Sequence, residues 1–115
     1  MIHGTGIDVV DISRFKKALE RWGDRMKERL FTEEELRYCL RQKFPERHLA
    51  ARFAAKESVF KALGMALPFK DVEIIREAGG RPSVRVKGIG KDLRLSVSLS
   101  HDGSLGAAQA IVERT

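Results

Sequence analysis

The sequence contains a single cysteine, Cys39, so no disulfide can form within the chain and a reducing compartment is expected. No segment approaches the roughly 18 apolar residues that a membrane-spanning helix needs. The first residues lack the basic flank and apolar run of a secretory signal. Aromatic residues make up only 7% of the chain, which disfavours a surface built for stacking nucleic-acid bases. We therefore expect a cytoplasmic protein that binds neither a membrane nor a nucleic acid.

Hydrophobic residues make up 43% of the 115 residues and are spread along the chain, which is enough for one folded core. Only three prolines occur, and no repeat or low-complexity linker divides the sequence. We predict one domain over residues 1–115. Its 22 Lys and Arg residues exceed its 16 Asp and Glu residues, giving a formal net charge of +6. Taken alone, such a charge suits nucleic acid, an anionic membrane surface, an acidic protein, a phosphorylated small molecule or simple solubility.

Hydrophobic periodicity predicts an α+β fold in which helices pack on a small antiparallel β-sheet. A short strand near the N-terminus precedes a helix that Asp11 or Ser13 can cap, and Gly23 interrupts that helix. A capping box over Thr32–Glu35 opens a second helix. The remaining features are these: a third helix from Pro45 to a Gly64 cap, a hairpin around Gly79-Gly80, a turn or short helix near 89–93, and a second hairpin around His101–Gly103.

Four residues could carry chemistry, and each also has a purely structural interpretation. Asp8 follows a glycine-rich approach and could bind a metal ion or only cap the next helix. Glu57 and Lys61 share a helical face, which suits a divalent cation and a phosphate, or else a surface ion pair. His101 follows a strand and could contact a phosphate, act as a general acid, or only form a turn.

The first long helix carries a basic stripe on a face different from its apolar one. Its members are spaced by three or four residues: Arg14, Lys17, Arg21 and Arg25. The apolar stripe includes Phe15 and Trp22, so we expect both rings to be buried. Neither His3 nor His48 has a comparable setting, and neither is assigned a role.

Five segments in order resemble motifs of the holo-acyl-carrier-protein synthases, the short single-domain members of the 4′-phosphopantetheinyl transferase superfamily. They run from near residue 4 to residue 102, and the segment with Arg52 to Glu57 and Lys61 is the most specific. The five are Gly6-Ile7-Asp8 with Arg14, Phe31-Thr32 with Glu35, Arg52-Phe53-Ala54-Ala55-Lys56-Glu57 with Lys61, Gly80-Arg81-Pro82, and Ser98-Leu99-Ser100-His101. One departure is that Met65-Ala66 follows Gly64, where the family usually continues Thr-Gly.

The resemblance implies the fold of that superfamily and transfer of 4′-phosphopantetheine from coenzyme A to a serine of acyl carrier protein. Adenosine 3′,5′-bisphosphate is released. By resemblance, Asp8 and Glu57 hold Mg²⁺, and Lys61 neutralises the pyrophosphate. Arg52 and His101 contact the nucleotide phosphates, and Pro82 belongs to a coenzyme-binding motif. The base that takes the serine proton stays open between Glu57, a metal-bound water and bulk solvent.

Acyl carrier proteins are acidic, so the basic stripe is expected to dock one. The resemblance also implies a homotrimer with active sites at subunit interfaces. One helical layer leaves one face of the sheet uncovered, and we expect that face to carry Val84, Val86, Val97, Leu99 and the apolar residues of 107–112. Two other functions stay open: a basic nucleic-acid-binding domain and an inactive oligomeric scaffold of the same fold.

Overall fold

The computed structural model describes all 115 residues and confirms the α+β fold. A 3-10 turn at Phe69–Asp71 precedes β2, and the segment near residues 89–93 is a turn without a helix. No helix combines the length and the apolar character that crossing a bilayer would require. The elements are β1 (Ile2–Asp11), α1 (Ile12–Leu30), α2 (Glu33–Leu40), α3 (Pro45–Leu63), β2 (Val72–Arg76), β3 (Pro82–Val86), β4 (Leu93–Asp102) and β5 (Leu105–Arg114).

The strands form two antiparallel sheets. The larger has the order β1-β5-β4, so the first strand of the chain pairs with the last and forms one edge, while β4 forms the other. In register, Asp8 on β1 lies opposite Ala108 on β5, which lies opposite Leu99 on β4. The smaller sheet is the β2–β3 hairpin. The chain termini thus meet in one sheet, and residues distant in sequence share its rows.

The helix ends form where the sequence predicts them. An Asp11 carboxylate oxygen accepts from the Arg14 amide at 3.0 Å, and both hydrogen bonds of the capping box between Thr32 and Glu35 are present. Gly64 ends α3 in the left-handed conformation at φ 77°. Gly23 breaks α1 with φ 60° and ψ −141°, a backbone conformation that a residue with a Cβ rarely adopts.

Helix α3 packs directly on the larger sheet because β1 presents glycines to it. A Cβ on Gly4 would lie 2.0 Å from the Ala62 carbonyl oxygen, and one on Gly6 would lie 2.0 Å from the Ser58 carbonyl oxygen. Only glycine allows this approach between the helix and strand backbones. The approach brings α3 within reach of Asp8, the next residue of β1 on the same face.

The larger sheet has an outward face, but the prediction of the residues that lie on it is wrong for most of them. Val97 and the β5 residues Ala108, Ala110 and Val112 are buried in the core with α3, and Val84, Val86 and Leu99 pack against that core. Alternation along a strand separates two sets of side chains but does not say which set meets the helix. The outward set includes Ile7 and Val9 of β1, which are 64% and 59% exposed.

The prediction that Trp22 is buried in the apolar stripe of α1 is also wrong. Phe15 and Leu19 are buried, but Trp22 is 61% exposed, and the Arg21 guanidinium lies 5.1 Å from its ring. The break at Gly23 directly follows Trp22, so the helical period that links the two halves of the stripe is lost there.

Candidate active site

Asp8, Glu57 and Lys61 come together where β1 meets α3, as the sequence predicts. The Lys61 ammonium donates to the Asp8 carboxylate at 3.2 Å and to the Ile7 carbonyl oxygen at 2.8 Å. Lys61 makes no ion pair with Glu57, so the simple surface pair considered from the sequence is not what forms. Glu57 stands one helical turn before Lys61 and is half-buried. The two carboxylates and the lysine therefore form one small charged cluster.

The electrostatics of this cluster favour binding a cation. Burial raises the pKa of Glu57 above its usual value, the nearby charge of Asp8 raises it further, and Lys61 acts in the opposite direction. Two carboxylates that repel each other release that repulsion when a divalent cation binds. No group of three or more His, Cys, Asp or Glu side chains forms a protein-only metal site. The donor set thus fits Mg²⁺, which binds one or two carboxylates and completes its shell with phosphate oxygens and water.

A second cluster, the basic pocket, lies on the other side of α3. It has a volume of about 260 Å³ and is lined by His48, Ala51, Arg52, Arg76, Leu99, Ser100 and His101. Arg52 is only 2% exposed, its guanidinium lies 4.5 Å from the Tyr38 ring, and its Nε has no hydrogen-bond partner. Two arginines and two histidines without a carboxylate form a site for an anion.

The basic pocket contains two residues that the sequence did not single out. His48, to which we assigned no role, lies with its ring 6.0 Å from those of Tyr38 and His101. Arg76 reaches the pocket from the end of β2, and nothing in its local sequence indicates this. Pro82 does not line the pocket: it pairs with Arg76 in the β2–β3 register. Its contact with coenzyme A stays a prediction.

The basic stripe of α1 is exposed at Arg14, Lys17, Arg21 and Arg25. Beside it runs an apolar cleft of about 860 Å³, lined by Trp22, Arg25, Met26, Arg29, Leu30, Phe53 and Phe69. Phe53 stands one helical turn before Glu57 on α3, so this wall of the cleft and Glu57 lie on the same face of the helix. An apolar cleft with basic residues beside it suits an acidic partner that presents apolar side chains.

Cys39 is not a candidate nucleophile. It is fully buried, and burial raises the pKa of its thiol to about 11. A neutral thiol without access to substrate is chemically inert.

The family model of the 4′-phosphopantetheinyl transferase superfamily matches residues 4–112, nearly the whole chain. The chain belongs to this superfamily. Its match includes β1 with Asp8, all of α3 and the basic pocket. The match supports the predicted transferase over the nucleic-acid-binding alternative.

Relatives within this superfamily match the chain over nearly its full length. Holo-[acyl-carrier-protein] synthase from Geobacter metallireducens is 44% identical and covers 99% of both chains. The one from Moorella thermoacetica is 45% identical over 94% of this chain and 91% of its own. A solved structure of a holo-(acyl-carrier-protein) synthase from Bacillus anthracis in complex with CoA (3′,5′-ADP) superposes with a TM-score of 0.88. That structure is 30% identical and covers 100% of this chain and 99% of its own.

Proposed function

We propose that this transferase is a Mg²⁺-dependent holo-acyl-carrier-protein synthase of fatty acid biosynthesis that works in the cytoplasm as a homotrimer. It moves 4′-phosphopantetheine from coenzyme A to a serine of apo-acyl carrier protein. The observation that carries the proposal is the junction of Asp8, Glu57 and Lys61 between β1 and α3. The relatives with holo-[acyl-carrier-protein] synthase names support the reaction.

In the reaction a bond forms between the serine Oγ and the pyrophosphate phosphorus that bears the pantetheine arm. The bond from that phosphorus to the bridging oxygen breaks, adenosine 3′,5′-bisphosphate leaves, and the serine hydroxyl releases its proton. Asp8 and Glu57 would hold Mg²⁺, which offsets the negative charge of the pyrophosphate when bound. Lys61 adds a positive charge beside Asp8 that attracts the substrate phosphates.

The geometry of one chain supports a shared active site. His48 and Glu57 are separated by about two and a half turns of α3 and therefore point to opposite sides of the helix. Asp8 belongs to one edge strand of the larger sheet and His101 to the other. The helix thus separates the carboxylates from the basic pocket within a protomer. If the Asp8 side of one protomer faces the basic pocket of its neighbour, a single coenzyme A molecule contacts both.

The outward face of the larger sheet supplies a surface for such contacts. Ile7 and Val9 are exposed there, and Ile111 and Ala107 on β5 lie opposite Thr5 and Val9 in the register. Covering exposed apolar strand residues with a second and third copy removes them from water. This face differs from the one predicted from the sequence but supports the same trimer.

Docking of the carrier is assigned to the basic stripe and the cleft. The exposed Arg14, Lys17, Arg21 and Arg25 attract the acidic carrier, and the cleft takes its apolar side chains. Because Phe53 joins the cleft to the helix face of Glu57, a docked carrier brings its serine toward the carboxylates.

The test is the mass of an apo-acyl carrier protein after incubation with the protein, coenzyme A and Mg²⁺. The proposal predicts the gain of one phosphopantetheine group, loss of that gain in EDTA, and strong loss of rate in Glu57→Gln at limiting Mg²⁺. An unmodified carrier under all conditions would indicate the inactive scaffold. Equal rates of parent and Glu57→Gln at limiting Mg²⁺ would remove Glu57 from the metal site.

A further inference from the structure

The positive charges of the basic pocket are not balanced by carboxylates of the chain. Arg52, Arg76, His48 and His101 converge there, and none of them forms an ion pair with a carboxylate in the chain. Arg52 is 2% exposed and its Nε is buried without a hydrogen-bond partner. A buried guanidinium nitrogen in this state costs free energy unless a ligand accepts its hydrogen bond. The pocket is therefore built around an anion.

His48 can take up a proton when that anion binds. Burial lowers the pKa of His48 below its usual value, and the charges of Arg52, His101, Arg76 and Arg47 lower it further. The groups that face it are Arg47 and Arg52 on α3, His101 on β4, Arg76 on β2 and the Tyr38 ring on α2. Without an anion the ring is thus neutral at pH 7. A phosphate monoester carries a charge near −2, and a negative charge beside the ring favours its protonated form.

We propose that His48 is a further phosphate-binding residue beside Arg52 and His101, and that it takes up one proton when the ribose phosphate monoester of the coenzyme binds in the basic pocket. This inference rests on the proposed function. A neutral imidazole gives one hydrogen-bond donor, and the protonated ring gives a charged one in addition. Phosphate affinity is therefore highest below the pKa of His48 in the complex and falls as pH rises through it.

The experiment is titration calorimetry with adenosine 3′,5′-bisphosphate and with adenosine 5′-monophosphate in two buffers of different ionisation enthalpy. The difference in apparent heat between the buffers measures proton uptake. His48→Phe retains an aromatic ring between Tyr38 and His101 but cannot take a proton. His3→Phe is the matched control, since His3 lies near Arg114, far from the pocket in the register of the sheet.

The parent is expected to take up a proton with the bisphosphate and not with the monophosphate. His48→Phe should lose that uptake and bind the bisphosphate about tenfold more weakly at pH 6. Its deficit should shrink above pH 8, and its affinity for the monophosphate should stay within about twofold of the parent. His3→Phe should match the parent throughout. Parental affinity and parental proton uptake in His48→Phe at pH 6 would overturn the proposal.

Inorganic phosphate, followed by NMR of the His48 ring, separates this proposal from the function it rests on. An upward shift of the pKa of His48 on adding phosphate supports the anion pocket, whatever the substrate is. If phosphate causes that shift and adenosine 3′,5′-bisphosphate does not bind, the assignment to the coenzyme fails. If neither ligand moves the titration of His48, the proposal itself is wrong.

Discussion

The ammonium group of Lys56 lies 2.6 Å from the carboxylate of Glu35, and both side chains are completely buried. Lys56 also donates to the carbonyl oxygens of Leu30 and Phe69 at 2.7 Å and 3.1 Å, and Glu35 accepts from the Ile74 amide at 2.8 Å. Leu30 and Phe69 line the apolar cleft. One ion pair therefore ties α2, α3 and β2 together and holds two walls of the cleft.

Replacing Lys56 should destabilise the protein strongly. Lys56→Met preserves much of the side-chain volume but leaves the Glu35 carboxylate buried without its cation. We expect a loss of about 3–5 kcal/mol in the free energy of unfolding, measured by urea denaturation. The control is Arg37→Ala, which breaks an exposed pair with Glu34 and should cost less than about 1 kcal/mol. Equal midpoints for Lys56→Met and the parent would show that the buried pair contributes nothing.

A methyl group on Gly6 should push α3 away from β1. Its Cβ would lie 2.0 Å from the Ser58 carbonyl oxygen and 2.9 Å from the Lys61 Cβ. We expect Gly6→Ala to lower the free energy of unfolding by about 1–3 kcal/mol and to reduce the rate of transfer, because Asp8 and Glu57 lie across this contact. Gly79→Ala, where nothing lies within 4 Å, is the control. A Gly6→Ala protein with parental stability and rate would contradict the packing described.

The raised pKa of Glu57 predicts that its ionised carboxylate, the form that a cation would bind, lowers the stability of the folded protein. Since its pKa in the folded state is above the unfolded value, the stabilising contribution is present below the unfolded pKa and is lost as pH rises through the folded one. Without metal at pH 7, Glu57→Gln should therefore melt above the parent, and the gap should close in acid. Adding Mg²⁺ should raise the melting temperature of the parent more than that of the variant. A lower melting temperature for Glu57→Gln in EDTA at pH 7 would contradict this.

Charge reversal on α1 should act on the carrier and not on coenzyme A. Arg14→Glu and Arg21→Glu replace exposed cations of the basic stripe, so KM for the carrier should rise and its dependence on salt should flatten. Lys91→Glu changes an exposed cation outside α1 and serves as the control. A change in KM for coenzyme A as large as that for the carrier would place these arginines elsewhere.

The local features of the fold could be predicted because each depends on a few neighbouring residues. The Asp11 cap, the Thr32–Glu35 capping box and the Gly64 stop of α3 all form as expected. Asp8, Glu57 and Lys61 were also placed together, since helical spacing and the family resemblance point to the same cluster.

The remaining features depend on contacts between distant segments, which local patterns do not encode. The capping box does not indicate that the Glu35 carboxylate also reaches Lys56 in the core. Arg76 and His48 join Arg52 only because β2, α3 and β4 converge at one pocket. The glycines of β1 were the available signal for the face of the sheet that meets α3, since Gly4 and Gly6 alternate with the exposed Ile7 and Val9.

Co-expression of two inactive chains tests the shared active site most directly. Glu57→Gln and His101→Ala chains carrying different tags are purified in tandem, so that only mixed oligomers are assayed for modification of apo-acyl carrier protein. If Glu57 and His101 at one site come from different protomers, one of the three interfaces in every mixed trimer, about a third of those assayed, regains both residues. We expect activity well above the mean of the two variants purified alone. Activity equal to that mean in verified mixed oligomers, or a fully active monomer by light scattering, would contradict it.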